Sequence, residues 1–233
     1  MKTLVLKASS SLSAPLAGTP VVPPFDPSLL FSYTKASITA SAGKVTKWAN
    51  AQGVLGTSAD LTLPSSNAPS VGVDGVVFAE SGSNSIATAV FPSSVSVPAL
   101  TVICRLKFSS AANVNPGTIF SSADAANYAY LRRLANGTLT SGVNAADAMV
   151  TGATAAIGSF VDLAIVFNGA SSRIYINDTL AVSGTTGSAA LSSFRIGANA
   201  GGAIFLNAEV KQLNAYSRAL SAAEIAEIRA TFA

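Results

Sequence analysis

The sequence predicts an all-β fold: a sandwich of two antiparallel sheets with one short C-terminal helix and an extended N-terminal arm. Three observations predict it. From residue 29 onward, short runs of β-branched and aromatic residues are separated by Gly, Asn and Ser clusters. Helix-start signals stand out at one place, close to the end of the chain. The first 27 residues are rich in Ser and then Pro, a composition that opposes helix. A chain of 233 residues buries a sizeable core without needing disulfides or a metal.

The arm, residues 1–27, runs through Pro15, Pro20, Pro23, Pro24 and Pro27, which favour extended or polyproline-like backbone. Ordering such a segment costs about 1–2 kcal/mol per residue in backbone entropy. That cost is offset only by docking onto the chain's own sandwich or onto a partner. Val5, Leu6, Leu12, Pro23, Pro24 and Phe25 are the arm's candidate docking residues. Thr3-Leu4-Val5-Leu6 imitates the start of a signal peptide, but Lys7 interrupts it and Ser9-Ser10-Ser11 follow. The expectation is synthesis and folding in a cytoplasm.

Residues 28–233 read as the sandwich. In Leu100–Phe108, Leu100, Val102, Cys104, Leu106 and Phe108 take one face and Thr101, Arg105 and Lys107 the other, the pattern of a half-buried antiparallel strand. It turns Cys104 toward the core as a structural cysteine. Residues 128–134 and 138–143 flank Asn136-Gly137, a type I′ hairpin signal. Residues 161–167 and 173–177 flank a longer loop, and Asn177-Asp178-Thr179 turns the chain into Leu180-Ala181-Val182. The helix begins at Ser221-Ala222-Ala223-Glu224, a capping box, with Leu220 and Ile225 spaced as a hydrophobic staple. Ile225 and Ile228 pack that helix against the sandwich.

Composition excludes several functions. Charged residues make up 11% of the chain, against roughly 25% in an average soluble domain. Mean hydropathy is +0.47, yet no run of about 18 apolar residues reads as a spanning helix. A charge-poor surface outside a membrane fits coverage by other protein. The net charge of +3 comes from scattered basic residues, adjacent only at Arg132-Arg133, without the basic stripe that nucleic-acid binding uses. With no histidine, Ser-His-Asp and Cys-His catalysis are excluded, as are imidazole metal sites. The lone Cys104 forms no internal disulfide. No cofactor is implied.

Four segments of the C-terminal third carry a resemblance: Ile165-Val166-Phe167-Asn168-Gly169, Arg173-Ile174-Tyr175-Ile176-Asn177, Arg195-Ile196-Gly197, and Ala215-Tyr216-Ser217-Arg218-Ala219-Leu220-Ser221-Ala222-Ala223-Glu224-Ile225. Asp26-Pro27-Ser28-Leu29-Leu30, Gly43-Lys44-Val45-Thr46-Lys47-Trp48 and Gly75-Val76-Val77-Phe78 add to it more loosely. Together they resemble laminin-G-like domains of the concanavalin A-like jelly-roll type over residues 26–233. The chain departs from that pattern where Asn177-Asp178-Thr179 replaces an Asp-Gly turn. It departs again around Leu206-Asn207-Ala208, where the family has a glycine. The family packs its core where Trp48 stands, so Trp48 reads as structural.

With its Pro-rich arm and few charges, the chain is also similar to structural proteins of tailed bacteriophages, which implies a capsid decoration, head fibre or tail component. Its partners would be other virion proteins or identical subunits in an oligomer, its location the virion. The alternative is a glycan-binding adhesin. Tyr128 and Tyr130 fall on one strand face with Arg132, where they either line a sugar site or pair to support the sheet. Hydrolases of this fold carry a Glu-x-Asp-x-x-Glu strand; Glu80, Glu209, Glu224 and Glu227 form no such motif, so no enzyme is expected. Glu209 with Lys211 reads as the solvent face of a strand. The calcium candidates Asp124, Asn144, Asp147 and Asp178 read as turn residues. Replacing the cap, Ser221→Ala, is expected to cost about 1 kcal/mol of stability; an unchanged thermal melt would refute the assigned helix start.

Overall fold

The computed structural model describes residues 26–62, 67–80, 83–88, 90–96, 99–109, 116–122, 128–144 and 146–232, with the side chains of 146–148 excepted. The arm candidates Val5, Leu6, Leu12, Pro23, Pro24 and Phe25, and Asp124, lie outside the described residues.

Two antiparallel layers face each other. The first runs, in spatial order, Leu29–Thr34, Ala208–Tyr216, Leu100–Phe108, Phe160–Phe167, Ser172–Ile176 and Thr179–Gly184. The second runs Ala146–Thr154, Thr138–Val143, Ala129–Arg133, Gly117–Ser121, Arg195–Ile196, Ile86–Thr88 and Leu61–Thr62. Lys44–Trp48 and Ile38–Ser41 extend it. The layers are not separate sheets. Lys44 pairs with Ser70, Val71 with Val76, and Val76 with Val210, so a ladder along one side joins 17 strands of the described residues into one folded sheet.

Period-2 alternation fills the space between the layers. Val102, Cys104, Leu106, Leu163, Ile165 and Leu213 from the first layer meet Ile86, Phe120, Leu131, Leu139 and Ile196 from the second. Phe120 and Phe167 touch across the gap in an edge-to-face pair, ring centroids 6.5 Å apart. Trp48 is fully buried and its indole N–H donates to Thr34 O at 2.8 Å, so the side chain is structural. Burial pushes the Cys104 thiol far above its ordinary range, as an inert buried cysteine requires.

Leu100–Phe108 departs from the half-buried strand expected. Its alternate face is covered as well: Thr101 and Ile103 have no exposed surface. The helix Ala222–Ala230 lies over this outer face, and Leu220, Ile225 and Phe232 pack there with Ile103, Ala164, Val166 and Tyr175. The capping box is formed as expected, Glu224 N donating to Ser221 Oγ and Ser221 N to Glu224 Oε2. The turns also differ in kind. Asn136-Gly137 is not type I′: Gly137 alone has positive φ and donates to Leu134 O, the pattern of a three-residue loop with a glycine bulge. The two-residue turn with both φ positive stands instead at Asn177-Asp178.

Charged groups that alternation assigns to solvent pin the helix. Arg105 Nε and Nη2 hold the two Asp162 oxygens at 2.7 and 2.8 Å, and Arg229 Nη2 from the helix meets the same carboxylate at 2.7 Å. Arg229 also pairs with Asp178, and Arg105 donates to Phe232 O. At the other end Arg218 joins Asp26 and Glu224, at 2.8 and 2.6 Å. Among the described residues no helix is long and apolar enough to cross a membrane.

Burial opposes ionisation of Asp162, but its bonds to Arg105 and Arg229 outweigh that and hold its carboxyl below the usual 3.8. A depressed folded-state value means that the unfolded chain takes up the proton first as pH falls. The stabilisation is therefore complete above about pH 5 and is lost below pH 4. Asp162→Asn is predicted to cost about 3 kcal/mol at pH 7 and to flatten the acid limb of stability measured by denaturant titration. An acid limb identical to that of the parent would show that the clamp carries no weight.

Candidate functional site

The helix covers the middle of the first layer's outer face; on the second layer no described helix does so, and Tyr128, Arg132 and Arg195 are its half-buried outward groups beside the buried Thr118, Ser121 and Tyr130. Strand register sets what stands there. Arg195, Ser121, Tyr130 and Gly142 are paired across successive strands, and Thr118, Arg132 and Thr140 form the next row. Their neighbours Ile196, Phe120, Leu131 and Leu139 lie in the core, so both rows point outward.

The three residues singled out in the sequence are brought together. The Tyr128 and Tyr130 rings are 6.0 Å apart between centroids, tilted by 34°, and Arg132 lies over the Tyr130 ring at 5.2 Å. Tyr130 is covered in this stack, only 8% exposed, whereas Tyr128 and Arg132 are half-buried. The accessible surface of the cluster is thus Tyr128 and Arg132, with Tyr130 as their support. Asn144, a calcium candidate, is occupied in holding this end of the hairpin: its Oδ1 accepts from Tyr128 N at 2.8 Å.

Sequence reasoning missed Arg195, which stands two strands away from Arg132 on the same face. The signal available was its place just before Ile196-Gly197. Gly197 has φ +90, and a Cβ there would meet Phe78 Cδ1 at 2.4 Å, so the motif glycine is a packing requirement. The chain then turns at 199–204, where Asn199 Oδ1 accepts from Ala203 N and Ile204 N at 2.7 and 3.1 Å. Gly202, at φ +67, brings this loop against the guanidinium: a Cβ there would lie 3.2 Å from Arg195 Nη1.

The polar groups of this face are underused. Arg132 Nε, Arg195 Nε and Thr118 Oγ1 are buried and make no hydrogen bond. Desolvation by burial lowers the Arg195 pKa from its ordinary value. The contrast with Arg105, Arg218 and Arg229 is direct, since each of those meets a carboxylate within 2.8 Å.

Elsewhere the sequence candidates are occupied or apart. Glu209 is not on a solvent face: it is 8% exposed, accepts from Asp74 N and Gly75 N at 2.7 and 3.1 Å, and pairs with Lys107 at 3.0 Å. The strand's junction with Val76–Phe78 places that turn over it. Asp178 lies on the first layer, paired with Arg229, away from Asn144 on the second. The Asp147 side chain is outside the described set. Among the described residues no three metal-ligating side chains cluster. An open groove of about 570 Å³ lies beside the helix start, lined by Ser171, Arg173, Tyr175, Asp178, Leu180 and Ala222.

The Laminin_G_3 family, of the concanavalin A-like lectin/glucanases superfamily, matches residues 79–226, more than half of the chain. The chain belongs to this family. Its fold is shared with solved structures. Trypanosoma rangeli sialidase matches with a TM-score of 0.61 and 16% identity, over 92% of this chain and 36% of that one. The botulinum neurotoxin serotype D ligand binding domain, in complex with N-acetylneuraminic acid, matches with a TM-score of 0.61 and 15% identity, over 86% and 50%. A botulinum neurotoxin type C structure, whose cell entry depends on two ganglioside molecules, matches with a TM-score of 0.58 and 10% identity, over 88% and 51%. The chain thus spans between about a third and a half of these proteins. No curated protein matches it.

Proposed function

We propose that the chain is a non-catalytic saccharide-binding module and that it binds on the outer face of its second layer. The observation that carries this is the coincidence, on one face, of an aromatic pair with three buried polar atoms lacking hydrogen bonds. Sugars present apolar ring faces and a dense set of hydroxyl donors and acceptors. Tyr128 offers the stacking surface, while the half-buried guanidinium groups of Arg132 and Arg195 offer unspent hydrogen-bonding capacity. The lectin-like fold of the family supports the reading, as do the N-acetylneuraminic acid complex of the serotype D domain and the ganglioside dependence of type C cell entry. At such low identity the fold alone is shared, so the weight rests on this face.

The absence of catalysis belongs to the same proposal. Four of the described carboxylates have structural work: Asp162 clamps the helix, Glu209 holds the 72–75 turn, Glu224 caps the helix, and Asp60 accepts from Asn50 N and pairs with Lys47. The virion-component reading rests on arm residues outside the described set, and none of the three similar structures above is a virion protein. The saccharide reading rests on described residues, and for that reason is preferred.

A glycan array followed by calorimetry on the strongest hit tests it. Binding that free saccharide competes away is expected, and Tyr128→Ala is expected to weaken it about tenfold, or 1.4 kcal/mol. An array with no competable signal would refute saccharide binding; full affinity in the Tyr128 variant would remove it from this face.

A further inference from the structure

We propose that the saccharide bound on this face is acidic, its carboxylate being taken by Arg195 and Arg132. The inference rests on the saccharide-binding reading and adds the class of ligand. Its starting point is the way this chain uses arginine. Arg105 shows the preferred arrangement: Nε and Nη2 form a fork on the two oxygens of Asp162. Arg218 and Arg229 are each shared between two acids. Arg132 and Arg195 lie on one face two strands apart, about 10 Å across the sheet, and neither meets an acid among the described residues. The Nε of each is buried and unbonded. Two cations so placed lack the counter-charge that the other clamps possess.

A carboxylate supplies what is missing. Turning either guanidinium outward to present its Nε–Nη2 fork breaks no hydrogen bond at Nε, because none is made. The 199–204 loop lies against Arg195, where a Cβ at Gly202 would come 3.2 Å from Nη1, and the Tyr128 ring stands 6.0 Å from that of Tyr130. Between them Ser121 and Thr118 are fully buried and Tyr130 is 8% exposed, so the groups open to a ligand are Tyr128 and the two half-buried arginines. A sugar ring seated on Tyr128 would then direct a ring carboxylate toward the arginines. A planar carboxylate suits the fork as an isolated hydroxyl does not.

The test compares neutral oligosaccharides with counterparts carrying sialic or uronic acid, and with sulfated counterparts, on an array and then by calorimetry with the full chain. The acidic member of the best-bound pair is expected to bind at least tenfold tighter than the neutral one. Arg195→Gln and Arg132→Gln should each abolish that preference, weakening the acidic member at least tenfold more than the neutral one. Arg195→Lys, which keeps the charge but not the fork, should lose most of it. Circular dichroism confirms that each variant is folded, and the Lys variant decides if the Gln variant is not. Arg173→Gln, in the separate groove, should change nothing. Equal affinity for neutral and acidic members overturns the inference while sparing the saccharide reading; binding of none defeats both. A stronger response to sulfate than to carboxylate overturns the assignment of the anion. Loss of the preference in Arg173→Gln overturns the assignment of the site.

Discussion

One buried carboxylate organises the first layer. Asp162 lies in the middle of a strand, at a position where alternation turns it away from the core, and receives Arg105 from the neighbouring strand and Arg229 from the helix. Without these bonds its charge would stand uncompensated under the helix, a costly state. With them, the helix is fixed over Ile103, Ala164 and Val166. Full burial of a side chain such as Ile103 or Val166 contributes roughly 1.5–3 kcal/mol. Arg218 secures the other end through Asp26 and Glu224. The helix therefore buries the outer face of the central first-layer strands, while Tyr128, Arg132 and Arg195 on the second layer's outer face stay half-buried.

That asymmetry explains the division of charge. Acidic side chains are few, and those of the described structure are concentrated at joints: the helix clamp, the helix cap, the turn beneath Glu209, and Asp60 beside Asn50. Arg105, Arg218 and Arg229 are satisfied by them. Arg132 and Arg195, on the second layer, are not. A fold with spare acids could have paired these two. Their unpaired state, beside Tyr128 and under a glycine-bearing loop, is what gives the face its chemical character.

Much of the fold was legible in the sequence because local chemistry decided it. Ser221 and Glu224 fix the helix start by their own hydrogen bonds, and the alternation of Leu100 to Phe108 names the core face. What was not legible depends on partners distant in sequence. Nothing near Arg105 announces Arg229, more than a hundred residues on, so the outer face was read as solvent. Glu209 looked exposed for the same reason: the 72–75 turn that it holds is brought over it only by the pairing of Val76 with Val210. The Asn136-Gly137 pair misled because a three-residue loop and a two-residue turn use the same glycine. Of the site, Tyr128, Tyr130 and Arg132 were found because they share one strand. Arg195 was missed because strand order, not sequence, sets it beside them.

The central claim is that ligand recognition belongs to the outer face of the second layer. Amide chemical-shift mapping of the full chain, titrated with an acidic oligosaccharide selected by array, tests it most directly. The account predicts that the largest shifts fall at Thr118, Ser121, Tyr128 to Arg132, Arg195 and the 199–204 loop. Shifts centred instead on Arg173, Tyr175 and Leu180, beside the helix, would contradict it.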